Sequence, residues 1–346
     1  MNNYNHKMIH LFVILLHFVL YCSSKRLSEP ERVQEWHNKN GNTWPPLWQN
    51  ETLEYKQVMA DREEEIMQIP GANERWENWM QFTQGRLVPK FTTHGFEVIQ
   101  TPKATHETLD AFIADALSRY ETLPNEYDIN AIYGKNKPLF VNIGNLASDV
   151  LNDLQSIHEE WAGGIKLRGT SAYGVRLYKN GSSLIMHYDK VHSHVISSIV
   201  HIAHEYDDED EPWPIQIEDH NGKLHSVNLE PGQMLFYESS KCLHGRMKVF
   251  KGKYYGSIFL HYAPVDKSIW DYSVDDVIAS VPPHWKDNIV EDTGSRWAGQ
   301  GITVDSRASF GSNPRIVRGE FIHDNKSPYA YYNNISTLNP TIHEEL

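Results

Sequence analysis

The chain changes its hydrophobic rhythm near residue 165. Before that point apolar positions recur at helical spacing. Residues 51–68 (ETLEYKQVMADREEEIMQ) have helical composition. Residues 105–120 open with Thr105 and Glu107, then set Leu109, Phe112, Ile113 and Leu117 at helical spacing, which predicts a helix packed on a sheet. Residues 146–161 place Val150, Leu151, Leu154 and Ile157 on one apolar face. Beyond Ile165 the period shortens to two, and turn residues punctuate the runs. Strands are predicted at 172–178, 184–189, 194–203, 214–218, 224–229, 234–237 and 254–262. Asn221-Gly222 is a hairpin signal, and Pro231-Gly232 opens the following strand with a tight turn. Helices followed by many short strands argue for a sandwich or jelly roll that is mainly β with flanking helices. After Pro264 the chain becomes loop-rich, with one helix expected at 274–279.

The ends add an address. The apolar run 9–21 (IHLFVILLHFVLY) follows Lys7 and precedes Cys22-Ser23-Ser24, which predicts a secretory signal occupying residues 1–24. The run is interrupted by His10 and His17 and is shorter than the ~20 apolar residues that span a bilayer. An uncleaved anchor is the alternative. The sequence ends in His343-Glu344-Glu345-Leu346, one methylene from the His-Asp-Glu-Leu signal read by the retention receptor. The lumen of the endoplasmic reticulum is the expected location, with secretion or signal anchoring as alternatives. Between these ends we expect an arm over 25–95, a β-domain with supporting helices over 96–265, and a C-terminal extension over 266–346.

Composition narrows the partners. With 40% hydrophobic and 12% aromatic residues the chain is expected to build an ordinary globular core, and a net charge of -13 argues against a nucleic-acid partner. A polypeptide substrate is compatible with that balance. Much of the acid sits at 62–65 and 207–211, and the second run is expected to be a solvated loop rather than one that steers a basic substrate or holds calcium. Cys22 and Cys242 are the two cysteines, and signal cleavage would leave Cys242 alone, a thiol expected to be buried. Sequons at Asn50, Asn180, Asn325 and Asn334 each predict an exposed loop if used.

The candidate chemistry is His187, Asp189 and His244. In a strand, side chains alternate, so His187 and Asp189 would leave one face and could reach one metal ion. A single His-x-Asp means little in a chain with 19 histidines. Its value comes from order: the pair, several short strands, then His244 just after the strand that the Pro231-Gly232 turn introduces. Two imidazoles and a carboxylate suit iron(II) with coordination positions left open. Lys253 follows His244 by nine residues and begins the last strand. His192, His194, His201 and His204 form a rival cluster. His201 and His204 are three apart, so alternation would put them on opposite faces.

From Tyr173 to Pro264 this pattern resembles the iron(II)/2-oxoglutarate dioxygenases, most closely the prolyl 4-hydroxylase-like branch. The resemblance implies a double-stranded β-helix (jelly-roll) core packed by the N-terminal helices. It implies Fe(2+) held by His187, Asp189 and His244, with 2-oxoglutarate as cosubstrate, O2 as oxidant and ascorbate as a further reductant. Lys253 would pair with the far carboxylate of 2-oxoglutarate, with Arg246, Lys248 and Lys251 as competitors. Tyr178 matches a position whose phenol hydrogen-bonds the cosubstrate. The implied activity is hydroxylation of a peptidyl residue, proline first and lysine second. Two readings of other classes stay open: a metal-containing jelly roll that binds glycan or peptide, and a zinc hydrolase.

Overall fold

The computed structural model describes residues 52–67, 82–126, 132–133, 136–209 and 211–271. The expected signal at 1–24, the helix at 274–279, the terminal His343–Leu346 and the sequons Asn50, Asn325 and Asn334 lie outside them. Asn180, the remaining sequon, is exposed at a turn. No helix among the described residues is long and apolar enough to cross a membrane.

Helix α1 (Leu53–Met67) falls where the composition places it, and helix α2 (Lys103–Leu117) and helix α3 (Leu146–Trp161) fall where the apolar spacing places them. The strands are β1 (Phe96–Gln100), β2 (Ile132–Tyr133), β3 (Leu139–Val141), β4 (Leu167–Ala172), β5 (Val175–Tyr178) and β6 (Ser183–His187). They continue with β7 (Ile196–Tyr206), β8 (Ile215–Glu218), β9 (Leu224–Val227), β10 (Gln233–Tyr237), β11 (His244–Arg246) and β12 (Gly252–Pro264). All pairings are antiparallel. One sheet runs β1-β10-β7-β12-β5-β3, with β4 paired to the far half of β12; the other runs β2-β6-β11-β8-β9. This is a jelly roll with helices on the outer face of the larger sheet.

Alternation along β10 shows how the layers form. Met234 and Phe236 belong to the core shared with α2 and α3, while Leu235 and Tyr237 join Ile215 and Ile217 of β8 between the sheets. Helix α3 buries Val150, Leu154 and His158. The His158 ring lies 4.5 Å from Phe236 and 4.2 Å from Tyr262, and Tyr262 donates its hydroxyl to the Leu151 carbonyl at 2.8 Å. Each large apolar side chain so buried contributes about 1.5–3 kcal/mol. On the other side, α1 inserts Tyr55, Met59, Arg62 and Ile66, a helical stripe, and the Arg62 guanidinium grips Glu218 of β8 with two bonds.

Two turns depend on glycine. Gly232 has φ +87°, and the Gln233 N–H donates to Glu230 at 2.9 Å, the tight turn that Pro231-Gly232 predicts. The strand expected over 172–178 is instead two, β4 and β5, with Tyr173 and Gly174 between them. A Cβ at Gly174 would stand 2.2 Å from the Val141 carbonyl, so the turn passes where a side chain cannot. The hairpin at Asn221-Gly222 is longer than the two-residue form: Asp219 Oδ1 accepts from the N–H groups of Asn221 and Lys223, closing an Asx turn.

Candidate metal centre

Strands β6 and β11 are neighbours, and His187 stands directly across from His244. Cross-strand partners share a face, and the two imidazole centroids lie 4.4 Å apart. His244, expected just after β10, begins the short strand β11. Asp189 departs from expectation in another way: β6 ends at His187, so the carboxylate is not placed by strand alternation. A turn places it instead. The Asp189 N–H donates to the Ser239 carbonyl at 2.9 Å, and Gln84 Nε2 donates to the Asp189 carbonyl at 2.7 Å and to the Ser240 carbonyl at 2.9 Å. Asp189 Oδ1 then lies 3.4 Å from His187 Nε2 and 3.8 Å from His244 Nε2. Among the described residues this is the one group of three such ligands whose donor atoms all fall within 4.8 Å of one another.

The donor set fits a divalent ion. His244 Nδ1 must donate to the Cys242 carbonyl at 2.8 Å, because a carbonyl only accepts. Its Nε2 is therefore a bare lone pair facing the group. Burial, with His187 beside it, lowers the His244 imidazole to about 4, so it is unprotonated at neutral pH. Burial alone would raise Asp189, but hydrogen bonding to His187, with the electrostatic influence of the surrounding imidazoles, outweighs it and holds the carboxyl well below the usual range. Tyr237 donates its hydroxyl to Asp189 Oδ2 at 3.5 Å, which leaves Oδ1 to the triad. Burial and the adjacent Asp189 raise the Tyr237 phenol, keeping it a donor.

The cation expected at Lys253 is elsewhere. Between Gly252 and Tyr254, β12 takes two steps while β7 takes one, so Lys253 is the extra residue of a bulge. The bulge turns it outward: its side chain is 52% exposed, with Nζ 3.6 Å from Glu205 and 5.5 Å above the Tyr120 ring. Arg246 takes the inner position. It sits two residues past His244 on the same strand, hence on the same face, and is 2% exposed. Its guanidinium donates to the Trp213 carbonyl and, from Nη2, to the Tyr255 hydroxyl at 3.1 Å. It lies 4.5 Å over the Trp213 ring and 4.4 Å over the Tyr255 ring. No carboxylate within ion-pair reach answers it among the described residues. Tyr178 packs edge-on to the same Trp213 at 4.9 Å, and its hydroxyl accepts from Arg176 Nη1 at 3.1 Å. Arg176 is already paired with Glu126 through Nε at 2.6 Å and Nη2 at 2.9 Å.

The rival histidines are also placed by a bulge. Ile202 is the extra residue on β7 opposite Gly256 and Ser257, which returns His201 and His204 to one face. His201 Nε2 meets His204 Nδ1 at 2.8 Å, against the expectation that the two diverge. They form a stacked pair, and no third ligand joins them among the described residues. Cys242 is buried, as expected of a lone thiol, and burial pushes it well up.

No protein-family model matches the sequence, and no curated protein matches it. Solved structures similar to the chain include a Pseudomonas putida prolyl-4-hydroxylase, 14% identical over 50% of this chain and 95% of that one, with a TM-score of 0.37. A prolyl hydroxylase from Trichoplax adhaerens in complex with a hypoxia inducible factor peptide fragment is 16% identical over 57% of this chain and 92% of that one, with a TM-score of 0.39. HygX from Streptomyces hygroscopicus, with nickel and 2-oxoglutarate bound, is 12% identical over 50% of this chain and 84% of that one, with a TM-score of 0.36.

Proposed function

We propose that this chain is an iron(II)- and 2-oxoglutarate-dependent dioxygenase that hydroxylates a peptidyl residue, proline first and lysine second, in the secretory pathway. The observation that carries this reading is the meeting of His187, Asp189 and His244 with their donor atoms within 4.8 Å. Two nitrogen donors and one oxygen donor suit iron(II) and leave positions open for other ligands.

The residues around the triad divide the work. His187 Nε2, Asp189 Oδ1 and His244 Nε2 hold the ion, and Cys242 and Tyr237 fix the orientation of two of these ligands. Arg246 receives the far carboxylate of 2-oxoglutarate. An enclosed guanidinium answered only by neutral acceptors is poorly compensated, and an incoming carboxylate supplies the missing charge. Trp213, Tyr255 and Tyr178 wall that end and exclude water. The bound iron would supply the oxidising chemistry, in which 2-oxoglutarate loses carbon dioxide to give succinate, with one atom of O2 entering succinate and the other entering a substrate C–H bond.

A polypeptide substrate and the luminal address rest on the sequence. Deleting residues 343–346 is expected to send the protein into the medium; cellular retention after that deletion would count against a retention-receptor partner. For the reaction itself, the test is mass spectrometry of a peptide library incubated with the purified protein, iron(II), 2-oxoglutarate and isotopically labelled oxygen gas. The expected result is one labelled oxygen atom on a prolyl residue. Label on lysine would reverse the order of substrates, and cleaved peptide with oxygen taken from water would instead support a hydrolase.

A further inference from the structure

The loop between β10 and β11 touches two of the three ligands through its backbone. The Ser239 carbonyl accepts the Asp189 N–H at 2.9 Å, and the Cys242 carbonyl accepts His244 Nδ1 at 2.8 Å. One carbonyl fixes the turn that carries the carboxylate, and the other fixes the plane and tautomer of an imidazole. Where this loop sits therefore decides where both ligand atoms stand.

Two buried charges of opposite sign tie the loop down. It is one compact turn, in which the N–H groups of Lys241 and Cys242 donate to the Glu238 carbonyl at 2.9 and 2.8 Å. Glu238 opens it and is 0% exposed. Its carboxylate accepts from the Thr92 N–H at 2.8 Å, Thr92 Oγ1 at 2.7 Å, the Phe91 N–H at 3.1 Å and His220 Nε2 at 3.0 Å. Burial alone would raise this carboxyl, but the His220 imidazole beside it and the Thr92 and Phe91 donors outweigh that and lower it. Three residues on, Lys241 Nζ donates to the Gly85 and Val88 carbonyls at 2.8 and 2.6 Å. Every one of these partners except His220 belongs to the segment that leads into β1. That segment lies close against the loop: the Glu238 N–H donates to the Gly95 carbonyl at 2.8 Å, and a Cβ at Gly95, where φ is +91°, would stand 2.4 Å from Cys242 Sγ. Ionised groups enclosed in this way are held by charge-assisted bonds and are costly to displace.

We propose that Glu238 is a positioning residue of the metal centre: together with Lys241 it fastens the 238–242 loop to the 85–95 segment, and so fixes the two carbonyls that orient Asp189 and His244. This rests on the reading of the triad as a metal centre. Glu238 and Lys241 touch no ligand atom themselves and act through the loop backbone. Their loss is therefore read in metal affinity and ligand geometry rather than in stability alone.

The test uses the full chain and cobalt(II), an ion that suits the same nitrogen and oxygen donors and whose visible absorption reports their arrangement. Affinity is measured by competition with a chelator, less the signal of a His187→Ala sample, and folding by circular dichroism and the urea midpoint. Glu238→Gln keeps the shape but sets an amide N–H against N–H donors, and Lys241→Met takes its donor from the Gly85 and Val88 carbonyls. Each is expected to weaken cobalt binding about tenfold and to move its absorption bands while the fold persists. Leu154→Ala, a core truncation in α3, is expected to lower the urea midpoint and to keep the wild-type affinity and spectrum. Wild-type affinity and spectrum in either loop variant, or an equal loss of affinity in Leu154→Ala, overturns this proposal alone. If Glu238→Gln does not fold, Thr92→Val, which removes one donor to the carboxylate, decides in its place: weakened cobalt binding supports the proposal and wild-type binding overturns it. A wild type that takes up no cobalt overturns the metal reading and this proposal with it.

Discussion

Arg246 Nη2 donates to the Tyr255 hydroxyl at 3.1 Å while its guanidinium lies 4.4 Å over the same ring, so this cation is bonded and stacked by one neutral side chain. The contact fixes the fork on the interior side of β11, the side His244 also faces. Arg246→Met is therefore expected to raise the 2-oxoglutarate concentration for half-maximal succinate formation by about a hundredfold, matching the loss of a buried charge-assisted pair worth about 3 kcal/mol. Lys253→Ala is expected to change it by less than about twofold, because a half-exposed ion pair contributes under about 1 kcal/mol. A cosubstrate titration of both variants decides, and a larger effect at Lys253 would contradict the assignment.

Gln84 joins the N-terminal segment to both loops beside the triad. Its amide donates to the Asp189 and Ser240 carbonyls, so it fixes the turn that Asp189 follows after β6 ends. Gln84→Ala is expected to weaken metal binding about tenfold, the cost usual for losing a residue that orients a ligand. Competition against a chelator measures it. Unchanged affinity would mean that the Ser239 carbonyl suffices to hold the turn.

His158 predicts how stability responds to acid. Burial lowers this ring from 6.5 to about 4, against a partly offsetting bond to the Leu154 carbonyl. The unfolded chain thus takes up the proton first as pH falls. The stabilisation is complete above pH 6.5 and is lost as pH falls from there toward about 4. The loss approaches about 3 kcal/mol from this ring, and His194, His201 and His261, also lowered by burial, act in the same direction. Urea midpoints measured between pH 7 and pH 5 are expected to fall, and less steeply in His158→Gln. An equal slope in that variant would show that His158 does not carry this share.

Helices α2 and α3 were legible because their apolar residues repeat at helical spacing, and α1 was legible from its helical composition. Strands β7, β10 and β12 were legible from alternation, with ends within a few residues. Strands β1, β2, β3 and β11 are too short or too polar to announce themselves, and pairing makes them strands. Bulges account for the site errors. An extra residue in a ladder leaves no mark in composition, so Lys253 was placed inward and His201 and His204 were set apart. Arg246 was within reach: applied from His244 onward, the alternation rule puts it on the ligand face.

The central claim is that His187, Asp189 and His244 hold one iron ion that couples 2-oxoglutarate to oxidation. The most direct measurement is succinate formed by the purified full-length chain after loading with iron(II) and addition of 2-oxoglutarate, a proline-containing peptide and oxygen. The account predicts succinate from the wild type that requires both iron and 2-oxoglutarate, and none from His187→Ala, Asp189→Ala or His244→Ala proteins that retain the wild-type circular dichroism. Succinate formation that persists in His244→Ala, or an iron-loaded wild type that forms none, would contradict it.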